Sequence, residues 1–188
     1  MKFDQYAPLA IRTAKPLERN AQIEHAQVGI LTEVGELADA FKRHVIYGKP
    51  LDVTNLVEEV GDVFWYVNLL LNELGTRPRV IDRLIEDALE DGQDDAAVSD
   101  LRLVLTIGAM AGAIASHPDG GVSPAEGCSL LIALLVLLLK RHGQSVYTSL
   151  EANINKLAAR YGDKYSDYAA LTRDLDAERE TLNEAIGA

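Results

Sequence analysis

Residues 25–45 read HAQVGILTEVGELADAFKRHV, and residues 55–75 read NLVEEVGDVFWYVNLLLNELG. In both stretches apolar residues return every three or four positions, the period of a helix with one buried face. Glu33 and Glu36 stand three apart in the first stretch, Glu59 and Asp62 three apart in the second, so each pair shares a helix face. Two such helices packed antiparallel aim four carboxylates at one spot. The same spacing recurs along nearly the whole chain with little β-branched alternation, which predicts an all-α fold, a helical bundle.

Local signals divide that bundle. A first helix is expected over about Asp4–Ala14, before Pro16, and a long second one over about Leu17–Val45, ending at Tyr47-Gly48-Lys49-Pro50. Asp52 is a natural N-cap for the third, which runs to Glu73 with Gly75 beyond its end. Helices over Arg79–Leu89 and Val98–Ser116 follow, parted by a polar loop at Asp91–Asp95, and His117–Gly121 closes the second. Ser123, Pro124 and Glu126 combine an N-cap, a first-turn proline and a capping-box acid, so an aliphatic helix starts there and stops at His142-Gly143. Helix resumes over Ser145–Arg160, breaks near Gly162, and one last charged helix is expected over about Tyr168–Ala185.

Bulk properties exclude several function classes. Acidic residues outnumber basic ones by 29 to 18, a net charge of −11, which disfavours a nucleic acid polymer as partner because a duplex needs a cationic footprint. Cys128 is the only cysteine, so no disulfide forms within the chain. The start, MKFDQYAPLAIRTAKP, is unlike a signal peptide, and the aliphatic run Leu130–Leu139 is far short of the roughly 20 residues of a membrane span. A cytoplasmic protein with no membrane partner, its run Leu130–Leu139 a buried core helix, is the expectation.

A faint internal repeat adds to this. VEEVGDVFWYVNLLLNELG, ending at Gly75, superposes on AEGCSLLIALLVLLLKRHG, ending at Gly143, a shift of 68 residues. Upstream, LTEVGELADAFKRH lies on LTIGAMAGAIASH with a one-residue gap, and RVIDRLIEDAL echoes SVYTSLEANINKL. Glu36 then faces Ala109, Glu59 faces Gly127 and Asp62 faces Leu130, so the second copy carries none of these acids and reads as scaffold. The expected organisation is an acid-bearing half at 1–75, a degenerate repeat at 76–143, and a helix with a tail at 144–188.

Glu24, Glu58 and Glu73 read as solvated helix surface. Glu33 and Glu36, set among Val28, Leu31, Leu37 and Ala38, and Glu59 and Asp62, set among Leu56, Val60, Val63 and Phe64, border apolar stripes. Like charges so placed are untenable when buried without cations, so these acids are either exposed or hold metal. A di-iron bundle calls for Glu-x-x-His pairs and a zinc centre for clustered Cys and His, and the sequence offers neither. Hard oxygen ligands leave Mg²⁺, or Mn²⁺.

The stretches at 25–52 and 55–67, together with NINKLAARYGDKYSDYAALTRDLDAE at 153–178, resemble the MazG-like nucleoside triphosphate pyrophosphohydrolases. These are all-α NTP pyrophosphatases, a superfamily that includes the dimeric dUTPases. The likeness covers 1–75 and 144–184, with 76–143 as a departure. It implies Mg²⁺-dependent hydrolysis of a nucleoside triphosphate between the α and β phosphates, with Glu33, Glu36, Glu59 and Asp62 as catalytic metal ligands. It assigns Asn153, Lys156, Arg160 and Tyr161 to triphosphate, with Lys156 and Arg160 offsetting the charge of the pyrophosphate leaving group. His25 is placed near nucleotide, Trp65 is a candidate for stacking on a base, and Lys49, with Tyr47 in the same loop, for reaching phosphate. Lys164 and Arg173 could join Lys156 and Arg160 at the phosphates, with exposed ion pairing as the default reading. Members build their sites from two subunits, so fusion of an active and an acid-free half implies a pseudo-dimer within one chain, and its apolar helices a homo-oligomer. The competing reading is a non-catalytic helical interaction module; a dUTP-specific enzyme would share the chemistry.

Overall fold

The computed structural model describes residues 1–91, 97–116 and 122–187. Helices α1 (Phe3–Ile11), α2 (Arg19–Tyr47), α3 (Val53–Glu73), α4 (Pro78–Asp91), α5 (Asp100–Ser116), α6 (Pro124–Arg141), α7 (Val146–Tyr161), α8 (Asp167–Leu171) and α9 (Leu175–Ile186) succeed one another, with no strand among the described residues. The expected caps are present. The Asp52 carboxylate accepts from the Asn55 N–H, Ser123 and Glu126 form their reciprocal box, and α3 and α6 give way to Gly75 and Gly143 at left-handed φ of 74° and 67°. Gly92–Asp95 of the expected polar loop and the break at His117–Gly121 lie outside the described residues.

Three expectations are corrected. The final charged helix is two, α8 and α9, because the Asp174 carboxylate caps a fresh start by accepting from the Ala177 N–H at 3.1 Å. The buried stripe of α2 is Ala26, Ile30, Val34, Leu37 and Phe41, whereas Val28 and Leu31 face outward at 58% and 45% exposure. The aliphatic run of α6 is not buried all round: Leu131, Ile132, Leu135, Val136, Leu138 and Leu139 are inside, but Leu130 and Ala133 are exposed.

Helix α2 packs on both α3 and α5, and α6 on both α5 and α3, so these four close into a ring around a shared core. Each fully buried Leu, Ile or Phe there stabilises the fold by about 1.5–3 kcal/mol relative to exposure. Around the ring, α7 lies on α3 while α4 lies on α6, and α1 touches α3, α4 and α7. The Asp82 carboxylate on α4 fastens the start of α1 by accepting from the Phe3 and Asp4 N–H groups at 2.6 and 3.0 Å. Helix α9 covers α7 and α3. No helix of the described residues is long and apolar enough to cross a membrane.

Candidate active site

The short turn between α2 and α3 folds the two acid-bearing helices onto each other. Carboxylate oxygens of Glu33, Glu59 and Asp62 come within 4.8 Å of one another. Glu36 stands at the rim, exposed, and lines the same cavity as the other three. Glu59 is 5% exposed; burial, then the charges of Asp62, Glu36 and Glu33, push its carboxyl up to about 9. Burial, with Asp62 and Glu36, raises Glu33 to about 7. Without a cation, then, Glu33 and Glu59 hold their protons well above the ordinary carboxylate range. An all-oxygen donor set whose like charges are held together despite desolvation suits a hard divalent cation such as Mg²⁺ or Mn²⁺.

Helix α7 supports the cluster from behind. Gly61 admits it, since a Cβ there would stand 3.0 Å from the Asn153 Cβ and 3.1 Å from the Ser149 carbonyl. The Asn153 amide donates to Asp62 Oδ1 at 2.7 Å and accepts from the Tyr6 hydroxyl at 2.8 Å. The Lys156 ammonium pairs with Asp62 and, at 3.2 Å, with Glu58. Burial alone would lower the pKa of this 1% exposed lysine, but Asp62 and Glu58 outweigh it and raise the value. Asn153 and Lys156 therefore sit behind the acids rather than in the cavity wall. Glu58, read from the sequence as solvated, is half-buried in this ion pair, because the inward face of α3 is wider than the Glu59–Asp62 edge.

In front of the acids lies a cavity of about 350 Å³. One wall is aromatic. Tyr66 meets His25 edge-on at 5.5 Å and Trp65 at 4.8 Å, and a Cβ on Gly29 would run into the Tyr66 ring. The Trp65 indole N–H donates to the Thr13 hydroxyl at 3.0 Å and the Ala10 carbonyl at 3.2 Å, which anchors its ring. His25 Nδ1 is buried without a partner among the described residues, and burial lowers the ring's pKa, so the imidazole is neutral near pH 7.

Another part of the lining is cationic. Arg160, whose guanidinium lies 5.6 Å from the Tyr161 ring, and Arg173 both bond Glu178. Lys15 and Tyr165 also line the cavity; Lys15 pairs with Asp167 at 2.7 Å and the Tyr165 N–H reaches the Arg12 carbonyl at 3.1 Å. Lys49 lines a different cavity, of about 710 Å³, with Arg43; it meets the first across Glu36 and Glu59. Sequence reasoning missed Tyr66, Lys15, Tyr165 and Glu178. Tyr66 was within reach, one helical turn after Asp62; the other three are brought in by tertiary packing alone.

The pattern of the MazG nucleotide pyrophosphohydrolase domain matches residues 22–89. That span holds most of α2, all of α3 and most of α4, hence all four acids, His25, Trp65 and Tyr66. It runs past Gly75, where the sequence reading placed the departure, and ends before α5. No curated protein and no solved structure matches the chain at a significant level.

Proposed function

Starting from a chain that carries a MazG nucleotide pyrophosphohydrolase domain, we propose that it hydrolyses a nucleoside triphosphate between the α and β phosphates, releasing a monophosphate and pyrophosphate. The observation that carries this is the three-carboxylate cluster in the wall of a cavity that two arginines also line. Glu33, Glu59 and Asp62, with Glu36 at the rim, would hold Mg²⁺ or Mn²⁺. Such a cation offsets polyphosphate charge and acidifies water. Water oxygen attacks the α phosphorus, the bond from that phosphorus to the bridging oxygen breaks, and pyrophosphate leaves. The proton of the attacking water passes to a carboxylate of the cluster.

The remaining residues orient the substrate. Trp65, Tyr66 and neutral His25 form a wall that suits the flat face of a nucleobase. Arg160 and Arg173 suit the phosphates, with Tyr161 backing Arg160. Asn153 and Lys156 act through Asp62, fixing its carboxylate. Lys49, across the acids, serves the part of the polyphosphate that extends over Glu36. The single cysteine and the absence of a spanning helix among the described residues fit work on nucleotide pools inside the cell.

The fold is further proposed to be a pseudo-dimer with one metal centre per chain. Supporting this, α4 crosses to α6 as α7 crosses to α3. A groove of about 360 Å³ on α4–α6 is lined by Ala88, Leu130, Ala133 and Leu134, each 68 residues from Lys156, Asp62, Trp65 and Tyr66 respectively. The second copy thus keeps a groove and lacks its chemistry. Its apolar lining, with exposed Leu105 nearby in the chain on α5, supports association into homo-oligomers; sedimentation at micromolar concentration tests this.

Pyrophosphate release from canonical and modified NTPs and dNTPs, with Mg²⁺, Mn²⁺ or chelator, tests the enzyme reading. Turnover with metal that Glu36→Gln and Asp62→Asn abolish is expected. No release from any substrate with either metal would replace it with the interaction-module reading. Mn²⁺ titration tests the single centre: Asp62→Asn is expected to remove all tight binding, and a surviving half would reveal a second centre.

A further inference from the structure

Within the nucleotide reading above, we propose that Glu178 is a positioning residue that sets Arg160 and Arg173 as a clamp for the substrate's polyphosphate. Glu178 projects from α9 and its side chain is 5% exposed. Arg160 grips it in a two-pronged pair, Nε to Oε1 at 2.7 Å and Nη2 to Oε2 at 2.5 Å, while Arg173 Nη2 donates to the same Oε2 at 2.8 Å. Two guanidinium charges thus share one carboxylate charge.

A fastening between α7 and α9 would need only the Arg160 fork. Arg173, 42% exposed, adds little as a surface ion pair, and by meeting Arg160 on one oxygen it sets two like charges close together. The surplus positive charge lies along the cavity that the acids line. Each guanidinium has five N–H donors, of which Glu178 takes two from Arg160 and one from Arg173, so both retain donors for a second acceptor. An anion arriving there gains fork-type hydrogen bonds and relieves the repulsion.

Two other cations near the acids are committed, and Lys49 lines the neighbouring cavity instead. Lys156, one turn before Arg160 on α7, is turned inward as counter-ion to Asp62 and Glu58. Lys15 is held by Asp167. The Nη2 atoms of Arg160 and Arg173, both within 2.8 Å of Oε2, are close enough to hold one polyphosphate together. The ligand chemistry that fits these donors is phosphoryl oxygen, and its being a chain of phosphoryl groups rests on the nucleotide reading.

Calorimetric titration with inorganic tripolyphosphate in Mg²⁺, on wild type, Glu178→Gln, Arg173→Gln and Arg173→Lys, tests the clamp. Arg173 is half-exposed, so its variants keep the fold even where Glu178→Gln does not. Wild-type binding weakened about tenfold in both Gln variants is expected, with partial recovery in Arg173→Lys, since a lysine keeps the charge and loses the fork. KM for nucleotide rises by the same factor, kcat changes less, and Mn²⁺ affinity at the acids does not move. Lower unfolding temperatures with unchanged tripolyphosphate affinity and KM would make Glu178 a fastener only and overturn the clamp, as would failure of wild type to bind tripolyphosphate. Wild-type binding lost in the variants, with no nucleotide turned over, would uphold the clamp and sink the hydrolase reading instead.

Discussion

The α2–α3 pair and the α5–α6 pair face each other in the four-helix ring, and each takes its outer neighbour from the far side, α7 on α3 and α4 on α6. The first groove is walled by Asp62, Trp65 and Tyr66 with Lys156 behind it; the second, by Leu130, Ala133, Leu134 and Ala88. The contrast shows how much support buried charge requires. Glu33, Glu59 and Asp62 are held together with Lys156, Asn153 and Tyr6 arranged behind Asp62, while the aliphatic groove carries no charge to compensate.

The largest expected effect separates the halves by activity. Glu59→Gln should cut pyrophosphate release by roughly a hundredfold or more, given that even outer-shell changes at metal sites cost 10–100-fold. Ala133→Ser, at the position 68 residues after Trp65, should leave turnover within about twofold. A steady-state assay with equal losses in both would erase the distinction. Lys156→Met comes next: removing the counter-ion strands Asp62 and Glu58, costing about 3–5 kcal/mol in urea unfolding of metal-free protein. An unchanged midpoint would mean the pair is not buried as described.

A third effect is pH linkage. Glu33 and Glu59 are raised to about 7 and about 9 from an ordinary 4.5, so the folded, metal-free chain binds more protons than the unfolded chain in that window. Its stability therefore falls as pH climbs from about 5 to 9. Glu178 has the opposite sign: burial would raise its carboxyl, but Arg160 and Arg173 hold it at about 2, so its contribution is complete above 4.5 and lost only as pH falls through 2. Thermal unfolding with chelator at pH 5.5, 7 and 8.5 should show the decline, and Mn²⁺ should flatten it; a rise with pH would refute the linkage. The smallest effect is in the glycines. Gly108→Ala, on α5 with open space at its Cβ, should stabilise by up to about 1 kcal/mol, whereas Gly29→Ala displaces Tyr66 and raises nucleotide KM. Stabilisation in both would show that Tyr66 does not depend on that close approach.

Helix class and most helix ends were legible because their causes are local: Asp52 and Ser123 cap within three residues, and Gly75 and Gly143 stop helices on their own. The four acids were legible for the same reason, as i, i+3 pairs on amphipathic helices. What stayed hidden depends on partners far along the chain. Nothing near Lys156 says that its ammonium meets Asp62, 94 residues earlier, and nothing near Glu58 distinguishes it from a solvated acid. Val28 and Leu31 misled because a 29-residue helix with a narrow buried stripe carries apolar side chains outside it too.

That long separation between Lys156 and its acids also orders the birth of the protein. Glu33 through Asp62 leave the ribosome well before Lys156, Arg160 and Glu178 exist. The nascent α2–α3 hairpin thus emerges with its carboxylates uncompensated by the chain. The pairs of Lys156 with Asp62 and of Arg160 with Glu178 form only once α7 and α9 have been made and dock, so the acid cluster gains its support from the chain after the helices that carry it.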